Sequence, residues 1–345
     1  MRAQLSVLAA LLFGLTACGG QSSSSSNTAS PELNAALARG VVPSGAPAAA
    51  FGDIPQRHSP ASWPFEEGAP RTSGTGRYAH GAYYWTDFIY DANGAKGPNV
   101  PFYRIGTPTG GSLHYPAANM AGNGADLFVV ALGRKNGELF FRVDWQTLID
   151  HSVPVAAFAI DNQEGGSEEW PGITGLRSPG VDALLMLSAN GAFIDYKDGS
   201  GPQFVASVTV DMASRSFIAA LPHSSLATDQ PWTLYVASGI NNGEGGFLND
   251  NAGFRSLPNQ PPVFNLAFRD YDDEPALFNF WFDESQSTAL NTGDVSAFSQ
   301  QIDWARMGET EPEPLRYGYS NRWYLSSVSG AELGDGNFAA GVDRS

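Results

Sequence analysis

Asn123–Asp161, NGADLFVVALGRKNGELFFRVDWQTLIDHSVPVAAFAID, decides the fold. Asp126–Leu132 is almost continuously apolar, and Gly133-Arg134-Lys135-Asn136-Gly137 follows. Asn-Gly supplies positive φ at little steric cost, so the stretch predicts a tight turn. Glu138–Trp145 then alternates: Leu139, Phe141, Val143 and Trp145 share one face, and Glu138, Arg142 and Asp144 share the other with Phe140 among them. A period of two over this length signals a strand. Val153–Ile160 reads as a third strand, with Pro154 near its start, where a missing N–H is tolerated.

Working outward, the same grammar repeats. Gly81–Tyr90 is aromatic-rich and breaks at Asp91-Ala92-Asn93-Gly94. Asp182–Ser188 and Ala192–Tyr196 flank Asn190-Gly191 as a second hairpin, and Phe204–Val210 alternates as one strand. Ser216–Leu221, Thr233–Ser238 and Val263–Phe268 add three more, and Arg322–Val328 reads as a closing strand. The pattern predicts an all-β chain, an antiparallel β-sandwich of about nine or more strands. One late peripheral helix is expected, capped by Asp294 and running through Val295, Phe298, Ile302 and Ala305. No internal repeat of solenoid or propeller length is present.

The chain begins differently. Arg2 precedes an apolar run, Leu5–Leu15, that is too short to span a bilayer and has the length of a signal-peptide core. Leu15-Thr16-Ala17-Cys18 resembles the bacterial lipoprotein box, in which the cysteine becomes the first mature residue and carries the lipid. Cys18 is the only cysteine in 345 residues. The resemblance implies an exported protein anchored through lipidated Cys18 to the bacterial cell envelope, at the outer membrane or cell surface. Each buried acyl methylene adds about 0.8 kcal/mol to such an anchor. Residues 19–76 contain a five-serine run, Ser22–Ser26, then much Ala, Pro, Gly and Thr, and predict a flexible tether. Within it, Pro31–Gly40 can form a helical turn, and Trp63 and Phe65 are placed to dock on the folded part. The expected organisation is a leader over 1–18, the tether over 19–76, a sandwich module over 77–330 and a tail over 331–345. With Cys18 modified no disulfide is possible, so the core alone must hold the fold. The net charge of −16 excludes nucleic acid as a partner and disfavours adhesion of the folded part to anionic lipid.

Trp85-Thr86-Asp87-Phe88-Ile89-Tyr90-Asp91-Ala92-Asn93-Gly94-Ala95 resembles the W-x-D-F-x-Y-D-x-x-G-A opening of a β-sandwich region in bacterial exported proteins. Asn123–Leu127 with Leu139–Val143 resembles the centre of that region, and Gly293–Phe298 with Asn321–Tyr324 its end. The sandwich is similar to the C-terminal module of glucodextranase and to DOMON-like domains. The resembled proteins continue into an α/β-hydrolase of the esterase or peptidase type. The expectation here is a free-standing module, or one whose enzyme lies beyond Ser345.

Catalytic motifs are missing from the sequence. Gly318-Tyr319-Ser320-Asn321-Arg322 lacks the second glycine of a nucleophile elbow. His58, His80, His114, His151 and His223 show no zinc-ligand spacing. Glu168-Glu169 and Asp272-Asp273-Glu274 read as solvated loop carboxylates. Two binding features remain. Asp87, Asp91 and Asn93 gather hard oxygens at one loop, which suits a structural calcium ion or plain Asx turns. Trp170, Tyr83, Tyr84 and Trp85 suit either sugar stacking or the core, with Trp170 set in a Gly/Glu/Pro loop. Three functions follow: a non-catalytic glycan- or partner-binding module, the N-terminal part of a hydrolase, or a structural surface lipoprotein.

Overall fold

Asn136 and Gly137 set the register of the central hairpin. In the computed structural model, which describes residues 59–71, 74–88, 92, 124–148, 150–249, 261–269 and 284–314, both have positive φ, 54° and 81°. That is the conformation a two-residue hairpin turn requires. It joins β3 (Leu127–Lys135) to β4 (Glu138–Trp145), pairing Lys135 with Glu138 and Leu132 with Phe141. The strand thus runs to Lys135, two residues beyond the turn start expected at Gly133.

Strands are numbered along the chain. One sheet has the order β1-β2-β3-β4-β12-β11, with β1 at Thr75–Ala79, β2 at Ala82–Thr86, β12 at Ser216–Pro222 and β11 at Val208–Asp211. The other has the order β10-β9-β8-β5-β13-β14. Its members are β5 (Pro154–Asp161), β8 (Ala183–Ser188), β9 (Gly191–Tyr196), β10 (Gln203–Ala206), β13 (Trp232–Ile240) and β14 (Val263–Leu266). A short β15 (Gln300–Ile302) also pairs with β13. A separate hairpin, β6 (Ser167–Glu169) with β7 (Arg177–Val181), lies outside both. Among the described residues the chain is an all-β antiparallel sandwich.

The main core lies between the sheets. Phe141 and Val143 from the first face Phe158, Leu185 and Val236 from the second. Phe141 packs edge-on against Phe158 at 5.3 Å between ring centroids, and Trp145 against Phe217 at 5.5 Å.

Both sheets are also covered on their outer faces, which explains the nearly unbroken apolar run in β3. Over the first sheet lies the segment from residue 59 to 71. Trp63 and Phe65 pack on Phe140, Tyr84 and Ala131. Trp63 Nε1 donates to the Tyr84 hydroxyl at 3.0 Å, which in turn donates to Glu66 O at 2.6 Å. Glu67 meets Arg142 at 3.0 Å, and Arg142 forms a two-bond fork with Asp144 at 2.8 and 2.5 Å. Ser216 Oγ donates to the same carboxylate at 2.6 Å. Arg142 is 1% exposed, so this ion cluster is interior. Trp63 and Phe65 dock as expected, but the folded body starts by residue 59, and β1 straddles the boundary drawn at 77.

Two further expectations are corrected. Phe204–Val210 is not one strand: β10 pairs with β9 in one sheet and β11 with β12 in the other, so the chain changes sheets at Ser207. Asp294–Ala305 is not a helix. Among the described residues the helix, α1, is Glu284–Thr292, and the residues after it form a turn, β15 and a 3₁₀ turn at Trp304–Gly308. Val295, Phe298 and Ile302 are buried, which produced a helix-like spacing on an irregular path. That path closes one side of the sandwich. Trp304 packs on Trp232 at 4.7 Å, and Glu311 exchanges backbone and side-chain bonds with Tyr78 of β1 at 2.8 Å. The expected turn at Pro31–Gly40 and strand at Arg322–Val328 lie outside the described residues.

Two measurements check this packing. Phe141→Ala or Trp145→Ala is expected to lower unfolding free energy by about 3–5 kcal/mol in denaturant titration. Arg142→Ala strands Asp144 in the interior and is expected to cost a similar 3–5 kcal/mol, while Arg142→Met with Asp144→Leu restores most of it.

Candidate functional site

The outer face of the second sheet is apolar: Val155, Ala157, Leu184, Tyr235 and Ala237 are all buried there. The β6–β7 hairpin and the segment following α1 cover it. Trp170, at the hairpin tip, is the anchor. It is 2% exposed, packs on Tyr235 at 6.3 Å, and donates from Nε1 to Ser178 Oγ at 2.8 Å. Ile173 and Leu176 go down beside it.

α1 ends where the chain must meet this hairpin. Gly293 has φ +75°, and its N–H donates to Ala289 O at 2.7 Å, a left-handed helix stop. A side chain would not fit: a Cβ at Gly293 would lie 1.8 Å from Gly175 O. Arg177 N then donates to Gly293 O at 2.7 Å and Val295 N to Arg177 O at 2.9 Å, bridging β7 to the turn. Asp294 Oδ1 accepts the Ser296 N–H at 3.1 Å and the Ser296 hydroxyl at 2.6 Å.

Two hollows flank this junction, and Asp294 and Ser296 line both. The smaller, about 230 Å³, is lined by Glu168, Arg177, Ser178 and Pro179. The larger, about 640 Å³ and open to solvent, is lined by Thr288, Ala289, Thr292, Ala297 and Phe298 and is mainly apolar. Arg177, Glu168, Asp294 and Ser296 are all exposed at the rim. The Ser296 hydroxyl and N–H hold the Asp294 carboxyl below the ordinary carboxylate range, with a smaller pull from Arg177. The Arg177 guanidinium donates to Thr292 O at 3.3 Å. A guanidinium, two carboxylates and a hydroxyl within one small hollow can donate to and accept from the same hydroxylated ligand.

The residues singled out in the sequence fall elsewhere. Tyr83, Tyr84 and Trp85 are 2%, 0% and 4% exposed, so they cannot stack on a sugar. Tyr83 packs on Tyr78, Trp85 on Phe268, and Tyr84 lies under Trp63. Their strand is covered on both faces, the physical reason for the correction. Trp170 is likewise a floor and not a platform, although Ser178, which it fixes, lines the cleft. The exposed aromatic among the described residues is Phe204, 59% exposed and set edge-on to Phe193 at 5.6 Å. Asp87 is buried and accepts from Trp85 Nε1 at 3.3 Å; Asp91, Asn93 and Cys18 lie outside the described residues. Among those described, no group of three or more His, Cys, Asp or Glu side chains converges to hold a metal ion, and no helix is long and apolar enough to cross a membrane.

Sequence reasoning missed Arg177 and Asp294 as a pair because 117 positions separate them. Gly293 was the available signal, as a helix stop placed immediately before a short polar turn. The chain matches no protein-family model, and no curated protein matches it.

Gly293→Ala is expected to destabilise the fold by at least about 1–2 kcal/mol, the cost of a left-handed non-glycine residue, and to broaden or shift the amide signals of Arg177 and Val295. The lowered Asp294 carboxyl titrates below its unfolded value, so its charge stabilises fully above about pH 4 and ceases to do so as pH falls through the native pKa. Thermal melts of Asp294→Asn should therefore fall below those of the unsubstituted protein at pH 7 and converge with them once the pH lies below the native pKa of Asp294.

Proposed function

We propose that this chain is an exported, non-catalytic binding module, held at the bacterial cell envelope through lipidated Cys18, and that its ligand is a glycan bound in the cleft between β7 and the turn after α1. The observation that carries the reading is the convergence of Glu168, Arg177, Asp294 and Ser296 on one hollow of about 230 Å³. Sugar hydroxyls both donate and accept, and this set offers both partners within reach of one ring. The bidentate geometry of arginine suits vicinal hydroxyls, and carboxylates accept from them. Asp294 keeps its charge over the whole physiological range, so the hollow retains its acceptors. The lipoprotein-like leader and the resemblance to sandwich regions beside hydrolases support an accessory role in which the module supplies binding and a separate protein supplies chemistry.

Screening the purified protein against immobilised glycans should find a ligand whose binding Arg177→Ala weakens at least tenfold; no binding at millimolar saccharide would leave the structural-lipoprotein alternative. In the same preparations, short acyl esters and peptides should turn over no faster than in buffer, because acyl transfer needs a nucleophile with a base in reach. Cys18→Ser should leave an unprocessed precursor or release the protein from the membrane fraction. A mature-size, lipid-labelled species that persists in that variant would refute the anchor.

A further inference from the structure

β1 is the edge strand of the first sheet and pairs with β2 alone among the described strands. Its other side is occupied by the chain itself, through Glu309-Thr310-Glu311-Pro312-Glu313-Pro314. Glu311 N donates to Tyr78 O and Glu311 Oε2 accepts from Tyr78 N, both at 2.8 Å. Thr310 Oγ1 accepts from His80 N at 3.4 Å. Glu313 meets the Arg77 guanidinium at 3.0 Å and also accepts from Arg71 N. Arg306 reaches Glu309 at 2.9 Å and Glu311 as well. Pro312 and Pro314 have no N–H to add to a ladder. The firmly packed path stops just before this segment. Trp304 and Met307 belong to the main core, and the Arg306 guanidinium lies over the Tyr78 ring at 4.4 Å. At Gly308 a Cβ would meet nothing within 4 Å. Beyond it every contact is polar, and the Glu309, Glu311 and Glu313 side chains are 51%, 32% and 27% exposed. Ion pairs so exposed contribute little each and are screened by salt.

We propose that the free edge of β1 is a docking site for extended acidic peptides with carboxylates on alternate residues, and that residues 309–314 occupy it in cis as a strap hinged at Gly308. An added strand is recognised by main-chain bonds to an edge and by side-chain contacts at every second residue. Both are present here. The groups that recognise the strap are the Tyr78 N–H and carbonyl, the His80 N–H and the Arg77 and Arg306 guanidiniums, and all of them lie outside it. A separate chain with the same spacing of carboxylates meets the same groups. Charge complementarity selects that chain: in a protein of net charge −16, two arginines face this edge. The tether keeps the strap at high local concentration, so a partner in trans gains the edge only when the strap is weakened. The edge shares no residue with the hollows beside Asp294, and the glycan reading does not bear on it.

Two measurements on the purified protein test this. The first is amide hydrogen exchange at low salt and at about 1 M sodium chloride, where the Debye length falls to about 3 Å. The Tyr78, His80 and Glu311 amides are expected to exchange about tenfold faster at high salt, while the Ala305 and Arg306 amides keep their protection. Unchanged exchange at Tyr78 and His80 overturns the strap. The second is a titration with an acetylated and amidated peptide of residues 308–314, GETEPEP, followed through the Tyr78 and His80 amide signals. The doubly substituted Glu311→Ala, Glu313→Ala protein is expected to bind it at least about tenfold more tightly than the unsubstituted protein, whose own strap competes. Adding Arg77→Ala should then weaken binding about tenfold, and a peptide with glutamine at all three glutamates should not bind. If the double variant retains its circular dichroism spectrum and its amides ignore the peptide, the docking site is overturned. Equal binding of the glutamine peptide overturns the selection for carboxylates.

Discussion

Every strand of the central hairpin is buried on two sides, and that constraint organises the rest of the molecule. A sandwich needs only its inner faces covered, and its outer faces normally alternate to polar side chains. Here β3 and β4 carry Phe128, Ala131 and Phe140 outward as well, and exposed together they would form an apolar patch of the kind soluble proteins avoid. Each outer face therefore acquires a cover drawn from a different part of the chain. The first sheet takes the segment from residue 59 to 71, and the second takes the β6–β7 hairpin, α1 and the turn behind it. The Arg142 cluster follows from the same requirement. Once Trp63 and Phe65 seal the face, a guanidinium there has no water, and Glu67 and Asp144 supply the partners that water would have given, with the Ser216 hydroxyl donating to Asp144 in turn.

Edges pose the second problem, since a bare strand offers its backbone to any other chain. On one side the chain itself passes from β10 to β11 and ties the two sheets at their margins. On the other, the path from β15 through Trp304 to Glu311 starts on the second sheet and ends hydrogen-bonded to β1 of the first. Trp232 and Trp304 pack at the middle of that path, where the core would otherwise open to solvent. The two closures differ in kind: one is a strand that changes sheets, the other a clasp of irregular backbone held by side chains.

Most of the sandwich was legible because period-two alternation and Asn-Gly turns are local signals. β3, β4, β5, β8, β9, β12 and β13 all lie where the pattern placed them. Phe140, apolar on an otherwise charged face, marked the place where a cover sits. What failed was non-local. Nothing within Phe204–Val210 says that the chain changes sheets at Ser207, because alternation continues unbroken while the partner strand switches. The spacing of Val295, Phe298 and Ile302 matched a helix, whereas the helix that formed, Glu284–Thr292, is largely polar and buries only Gln286, Ala289 and Leu290 among its described side chains. Its stop at Gly293 is set by the approach of Gly175, a contact between distant positions. The candidate site failed for a related reason. Tyr83, Tyr84, Trp85 and Trp170 have the composition of a sugar platform, but composition does not distinguish a strand covered on one face from a strand covered on both.

The two covers lie on opposite faces of the sandwich, and this gives the molecule a front and a back. Residues 59–71 run along the outer face of the first sheet, and the cleft opens on the outer face of the second. The described chain enters the folded body through the first of these covers. The two sheets and their shared core separate residue 59 from the cleft. A ligand seated in the cleft and a load applied at residue 59 would therefore meet opposite faces, each with its own set of contacts.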